Sequence, residues 1–301
     1  MIYFFNILLI CFWLRLIPQR SRATFRNPVV YRAARIAESA AAFLQGALPF
    51  VPRYAMALAA LVFIVVFRGA FAAWTGGLWL ESAGFWNVKC DTGTPGSAAL
   101  FSLISFGILL HRALVLQFAL SFFSRRRPAI GRNPFYGALR AIAAPVSDLP
   151  RIAQLAIALL LGSLLAQALF RAGQVINPLE VMPTLSEVAP QLGAVTDLAV
   201  SPAPSTQIRL AFGVAMVLDV FSTATSLVVV AVLAMLFGGL FNLRFLFQLG
   251  GAACDTILST VFPRPVRIGA LNIAPLLFLL LMGVCQMAST FVVLVILGGS
   301  K

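Results

Sequence analysis

The sequence predicts an all-α polytopic membrane protein of about six transmembrane helices, arranged as three repeated hairpins. Three observations lead there. Apolar residues make up 61% of the chain and charged residues only 10%, far from the balance of a soluble domain. Six apolar runs approach spanning length: 2–17, 54–74, 98–123, 152–170, 208–241 and 273–298. One layout recurs, and a long period implies one structural unit used several times.

The layout is an apolar run, a cluster of arginines, a short amphipathic segment, a Pro-Arg pair and a second apolar run. The first unit, 1–74, carries Pro52-Arg53. The second, 98–171, carries Pro150-Arg151. The third, 207–301, carries Pro263-Arg264. Outer loops 75–97 and 172–206 separate them.

The first run is short for a span. It has no side-chain charge over 1–14, and Arg15, Arg20 and Arg22 follow it. A secretory signal carries its positive charge before the apolar core, so this run reads as an uncleaved helix with its N-terminus outside. The fifth run is too long for one straight crossing. It either tilts or begins outside the hydrocarbon.

The net charge of +13 has a positional explanation. Arginines fill the connection between the first two spans (Arg20, Arg22, Arg26, Arg32, Arg35, Arg53). They fill that between the third and fourth (Arg125, Arg126, Arg127, Arg132, Arg140, Arg151), and recur as Arg244, Arg264 and Arg267. The alternate connections carry Lys89 and Arg171 against Glu81, Asp91, Glu180, Glu187 and Asp197. This is the positive-inside asymmetry. It puts the basic segments in the cytoplasm, facing anionic headgroups, with both termini outside. Nucleic acid is set aside as a partner, because a phosphate footprint belongs on an accessible domain.

Each basic connection contains an amphipathic segment. In 29–48, Tyr31, Arg35, Glu38 and Gln45 share one face, and Ile36, Ala40, Phe43 and Ala47 another. Tyr136, Arg140 and Ser147 repeat the idea in 135–149. In 242–262, Arg244, Gln248, Asp255 and Ser259 oppose Phe245, Leu249, Ala253, Ile257 and Val261. Such helices lie in the interface with the apolar face either on acyl chains or on the protein itself. Asn27-Pro28 and Asn133-Pro134 open the first two: Asn caps a helix, and Pro at the first position loses no bond. Asn242 holds the corresponding place in the third.

Trp74, Trp79 and Trp86 surround Gly76-Gly77, as expected of aromatics at headgroup level. The proline-rich stretch 172–206 reads as a connector with at most one short helix, 185–192.

The chain carries few residues in chemistry-bearing patterns. Cys11 and Cys285 lie in apolar runs, Cys254 in a basic connection, and Cys90 in an outer loop without a partner. There is no CxxC pattern. A single histidine, His111, excludes bis-histidine haem ligation and His-rich metal sites within the chain. No nucleophile, phosphate-binding or zinc motif occurs, and the nine acidic residues are scattered. The expectation is a non-enzymatic protein with no cofactor and no metal.

Ionisable residues within a span are functional candidates by default. His111 and Arg112 lie near the middle of the third span, with Gln117 one to two turns further in. They read as a structural contact between helices, with an ion path as the alternative. Asp219 is their partner if the fifth span starts early, and interfacial if it starts near Phe221; the interfacial placement is preferred. Arg15 and Arg68 lie near span ends and are expected to snorkel. Ala158, Gly162 and Ala166 form a small-residue stripe on the fourth span, which suits close helix packing.

The segment 263–275 reads Pro-Arg-Pro-Val-Arg-Ile-Gly-Ala-Leu-Asn-Ile-Ala-Pro. Pro263 and Pro265 stop a helix, Gly269 allows a backbone closed to other residues, Asn272 caps the next helix and Pro275 sits in its first turn. This segment, with Arg264 and Arg267, resembles the signature of the YggT family of bacterial and plastid membrane proteins. That family repeats a hairpin with an Asn-Pro, a Pro-Arg-rich turn and Gly-x-x-Asp-x-Ser-Pro. Gly269 and Pro275 match it, while Asn272 stands for its Asp and Ala274 for its Ser. The likeness is good over 240–280 and weak over 1–70 and 101–170, where only Arg15, Asn27-Pro28 and Asn133-Pro134 carry it. It implies a membrane scaffold or assembly factor for membrane complexes or envelope organisation, with a membrane-protein partner or self-association. A channel or transporter component, and a structural subunit of a larger complex, are the alternatives.

Overall fold

The computed structural model describes residues 2–17, 27–47, 50–75, 79–84, 86–90, 94–124, 128–144, 146–176, 205–262, 264, 266–268 and 271–298. The described residues are mostly helical, at 85%. Its elements are α1 (Ile2–Leu16), α2 (Pro28–Ala47), α3 (Arg53–Thr75), β1 (Leu80–Ala83), β2 (Trp86–Cys90), α4 (Pro95–Ser124), α5 (Pro128–Arg132) and α6 (Pro134–Ile142). They continue as α7 (Arg151–Ala172), β3 (Gly173–Ile176), α8 (Thr206–Leu218), α9 (Val220–Leu240), α10 (Arg244–Val261), β4 (Arg267–Ile268), β5 (Leu271–Asn272) and α11 (Ala274–Gly298).

Among the described residues five helices are long and apolar enough to cross a membrane: α3, α4, α7, the joined α8–α9 and α11. They suggest a multi-pass membrane protein. The first run falls short. The 15 residues of α1 rise about 22 Å, against about 30 Å of hydrocarbon, and α1 packs on α2 and α3.

The amphipathic segments form α2, α6 and α10, which lie side by side. Asn27 Oδ1 accepts from Val29 N at 2.9 Å, and Asn133 Oδ1 from Phe135 N at 2.9 Å. Both asparagines do more than cap. Asn27 Nδ2 donates to Pro134 O at 2.7 Å, and Asn133 Nδ2 to Ala252 O at 3.1 Å. The three helices are thus tied in sequence, α2 to α6 to α10. Their inner faces pack on protein through Val30, Ala37 and Ala41, through Leu139 and Ala141, and through Ala253 and Ile257. Ile36, Phe43 and Phe245 of the apolar stripes point outward, where acyl chains would meet them. Small residues face in because the helices approach closely.

Asn242 does not cap α10. It ends α9 in the left-handed region at φ 55°. Leu243 N bonds Gly238 O at 2.8 Å and Asn242 N reaches Gly239 O at 3.4 Å, which is a Schellman ending. At the last hairpin, β4 pairs with β5, and Asn272 Oδ1 caps Ala274 N at 3.1 Å.

Within 75–97, expected as an outer loop, the mostly helical protein carries two strands. β1 and β2 form an antiparallel hairpin, and β3 adds to β2. Ala83 pairs with Trp86 across Gly84, whose φ of 66° suits glycine. Trp86, Val88 and Cys90 face the core while Asn87 and Lys89 face away, the two-residue period of a strand. This hairpin is not a surface loop. Trp79, Ala83, Trp86 and Val88 share one buried cluster with Phe101, Ile104 and Ile108 of α4, Leu169 and Phe170 of α7, and Phe212 and Ala215 of α8. Trp86 meets Phe212 edge-on at 5.3 Å between centroids. A side chain at Gly84 would collide with Ala215. Trp79 and Trp86 are therefore core residues rather than headgroup aromatics. Only Trp74 stays exposed, and Cys90 is buried.

Candidate functional site

The inserted hairpin carries polar groups down to the middle of α4. Arg112 lies roughly five turns below the start of that helix. Its side chain leans back toward the helix N-terminus, as helical geometry directs, and meets the hairpin. Nη1 donates to Glu81 Oε1 at 3.0 Å, and Nη2 to Ser82 O at 2.9 Å and to Ser82 Oγ. On the other side Nε donates to Asp219 Oδ2 at 2.9 Å. Glu81 is also bound through Oε2 by the Ser105 hydroxyl of α4.

Asp219 sits where α8 passes into α9. Its N–H bonds Ala215 O at 3.0 Å, and its carbonyl accepts from Thr223 N at 2.9 Å. The preferred interfacial placement is overturned. The helix begins at Thr206, thirteen residues before the aspartate, so Asp219 lies within the span and is 5% exposed. The acidic residues also do not stay scattered: Glu81 and Asp219 meet on one guanidinium.

Arg68 is a second correction. It does not snorkel. It is 1% exposed, donates from Nε to Ser102 Oγ at 3.0 Å and from Nη1 to Asn6 Oδ1, and lies 4.8 Å over the Trp79 ring. Glu81 acts on it electrostatically as well. Two arginines and two carboxylates make a cluster of zero formal charge. That balance is what buried ions need, since an unpaired charge in a dry interior is strongly unfavourable. Arg15 meets Glu38 at 3.9 Å in half-open surroundings.

His111 faces the opposite seam. Its Nε2 lies 2.8 Å from Ala158 O on α7, while Nδ1 has no partner among the described residues. Ala158, Gly162 and Ala166 are all buried. A side chain at Gly162 would meet Met216 at 2.9 Å and His111 Nε2 at 3.0 Å. Gln117 is buried with its Oε1 unpartnered among the described residues.

The last hairpin lies apart from this cluster. Pro263 and Gly269 fall outside the described residues, as do Arg20, Arg22, Arg26, Arg125 to Arg127 and 177–204 with the expected short helix. Arg264 is exposed, Arg267 opens β4, and Pro275 follows the first residue of α11. Cys254 on α10 is buried. Burial first, and Asp255 second, push its thiol above the usual range.

No family model, curated protein or solved structure matches the chain.

Sequence reasoning missed Glu81, Ser82, Ser105 and Arg68. The signal for the first two was the alternation of Trp86, Val88 and Cys90 with Asn87 and Lys89 after Gly84. Among the described residues no group of three His, Cys, Asp or Glu is placed to hold a metal.

Proposed function

We propose that this chain is a non-enzymatic integral membrane scaffold or assembly factor. In this reading it lies in a bacterial inner membrane with the arginine-rich side cytoplasmic. The observation that carries it is the use made of the charged cluster. Arg112 bonds both Glu81 and Asp219 and so clamps the inserted hairpin between α4 and α8, which builds a stiff outer half. On the arginine-rich side the asparagine ties between α2, α6 and α10 act likewise. A stiff body with outward apolar residues such as Phe43, Phe245 and Phe247 suits holding a neighbour within the membrane. The resemblance of 263–275 to the YggT turn supports the same reading.

The test is co-purification from native membranes in mild detergent. A defined membrane-protein partner, or a second copy, is expected to stay bound. A folded protein that retains neither would remove the scaffold reading.

Channel or transport activity is the second reading. It is favoured by one observation: Asp219 lies inside a 35-residue apolar helix and is ion-paired there to a part-buried arginine. Charged groups within a span mark ion paths often enough to be functional candidates by default. A structural subunit of a larger complex would give the same co-purification result as a scaffold, with fixed stoichiometry.

A further inference from the structure

The charged cluster is closed on the hairpin side by Ser82 and Ser105. Two more buried polar atoms lie further toward the arginine-rich side, one on α9 and one on α4. Thr223 lies one turn beyond Asp219 on the same face of α9. Gln117 lies beyond Arg112 on α4 and is 2% exposed. The walls around them are apolar: Ala113, Leu116 and Leu120 from α4 cluster with Val220, Ala224, Leu227 and Val228 from α9.

Two acceptors here are unsatisfied. Thr223 Oγ1 and Gln117 Oε1 are buried and have no partner among the described residues. Thr223 is unusual for this chain. Thr225, Thr256, Ser289 and Thr290 each turn the hydroxyl back to the carbonyl four residues earlier. That is the ordinary refuge of a helical hydroxyl in apolar surroundings. Thr223 does not make this bond. A buried polar atom in lipid has no bulk water to fall back on, and such atoms in native interiors are met by ordered water.

We propose that water fills the α4–α9 seam between Gln117 and Asp219, and that it carries protons between the arginine-rich side and the Asp219 carboxylate. A hydronium ion in the seam gives its proton to Asp219 Oδ1 and leaves as water. Oδ2 keeps its bond to Arg112. The groups facing Asp219 are Arg112 from α4 and, beyond it, Glu81 from β1; His111 lies beside Arg112, and Arg68 of α3 acts on Glu81. Protonation leaves the cluster one positive charge in excess, so Arg112 then rests on Glu81 alone. This inference goes beyond the scaffold reading and stands without it.

The full-length protein in phosphatidylglycerol–phosphatidylcholine vesicles tests this by infrared difference spectroscopy. Acidification is expected to raise a protonated-carboxyl band whose Asp219 part is the difference between wild type and Asp219→Asn. Thr223→Val with Gln117→Leu dries the seam, and that part is then lost on the timescale of the acid jump. A wild-type protein without it overturns the proposal. So does an Asp219 part whose rise is unchanged in the folded double variant, because the proton would then arrive past the hairpin. Should the double variant fail to fold, millisecond hydroxyl-radical footprinting of the wild type decides. Labelling of Leu116 or Val220 indicates seam water, and protection equal to that of Phe101 refutes it.

Discussion

Arg112 is bound by groups from two elements far apart in the chain. Its loss therefore exposes more than one contact. Arg112→Leu leaves Asp219 buried without a counterion and Glu81 with Arg68 alone, and breaking a buried pair typically costs about 3–5 kcal/mol. Thermal unfolding in detergent should show that loss. Adding Glu81→Gln and Asp219→Asn to the same protein should recover part of it, because the stranded charges are then gone. No recovery would mean that the arginine acts by packing alone. Gly162 is the second residue-scale case. Gly162→Leu has to displace Met216 and the His111 ring, and overpacking of this kind costs about 1–3 kcal/mol. A variant as stable as wild type would show that the seam yields. At this scale the sequence was partly legible. A charge inside an apolar run is conspicuous, so Arg112 was found. Glu81 was not, because a carboxylate in a connecting segment looks solvated until the segment is known to be buried.

The hairpin β1–β2 is a strand pair set among membrane helices. Non-helical backbone is tolerated at such depth only where protein or water surrounds it. Here α4, α7 and α8 supply the surroundings. The strand period was present in the sequence, but three tryptophans beside glycines also fit headgroup aromatics, and that familiar pattern won. The amphipathic helices were legible because a 3.6-residue period needs no partner to be recognised. Which face turned inward was not, since close approach favours alanine over phenylalanine. Asn133 tests the tie between elements. Asn133→Ala should lose both the cap and the bond to Ala252, about 1 kcal/mol for the cap alone. Asn133→Asp keeps the cap and removes only the tie, so the difference between the two variants in thermal stability isolates the link. Asn242→Val should destabilise the end of α9 by about 1–2 kcal/mol, through its left-handed backbone. Asn242→Gly should be nearly neutral.

For the whole molecule the proposed orientation can be read with thiol reagents, though not with the native cysteines. Cys90 and Cys254 are both buried, so both should resist labelling until the protein unfolds. Cys254 has a further reason. Its raised pKa keeps the thiolate scarce at neutral pH, and its residual reactivity should climb as pH rises. Reporter positions are better placed at Ser205 and Arg264, which are exposed on opposite sides in the proposed topology. Ser205→Cys should react with an impermeant maleimide on intact cells. Arg264→Cys should react only after permeabilisation. The reverse pattern would invert the orientation.

Composition and the spacing of apolar runs determined the class of this protein by themselves, because spanning length and amphipathic period are local properties of a chain. So were the caps at Asn27, Asn133 and Asn272, each satisfied by a backbone N–H two residues away. The placement of charge was decided elsewhere. Glu81, Arg112 and Asp219 are separated by 31 and 107 residues along the chain, and no local pattern records that they meet. Their pairing follows from the depth at which the hairpin inserts and from the early start of α8. Both are set by packing around Trp86 and Phe212. A buried charge is stable only beside its counterion, so the tertiary structure, by choosing that depth, also chose the site.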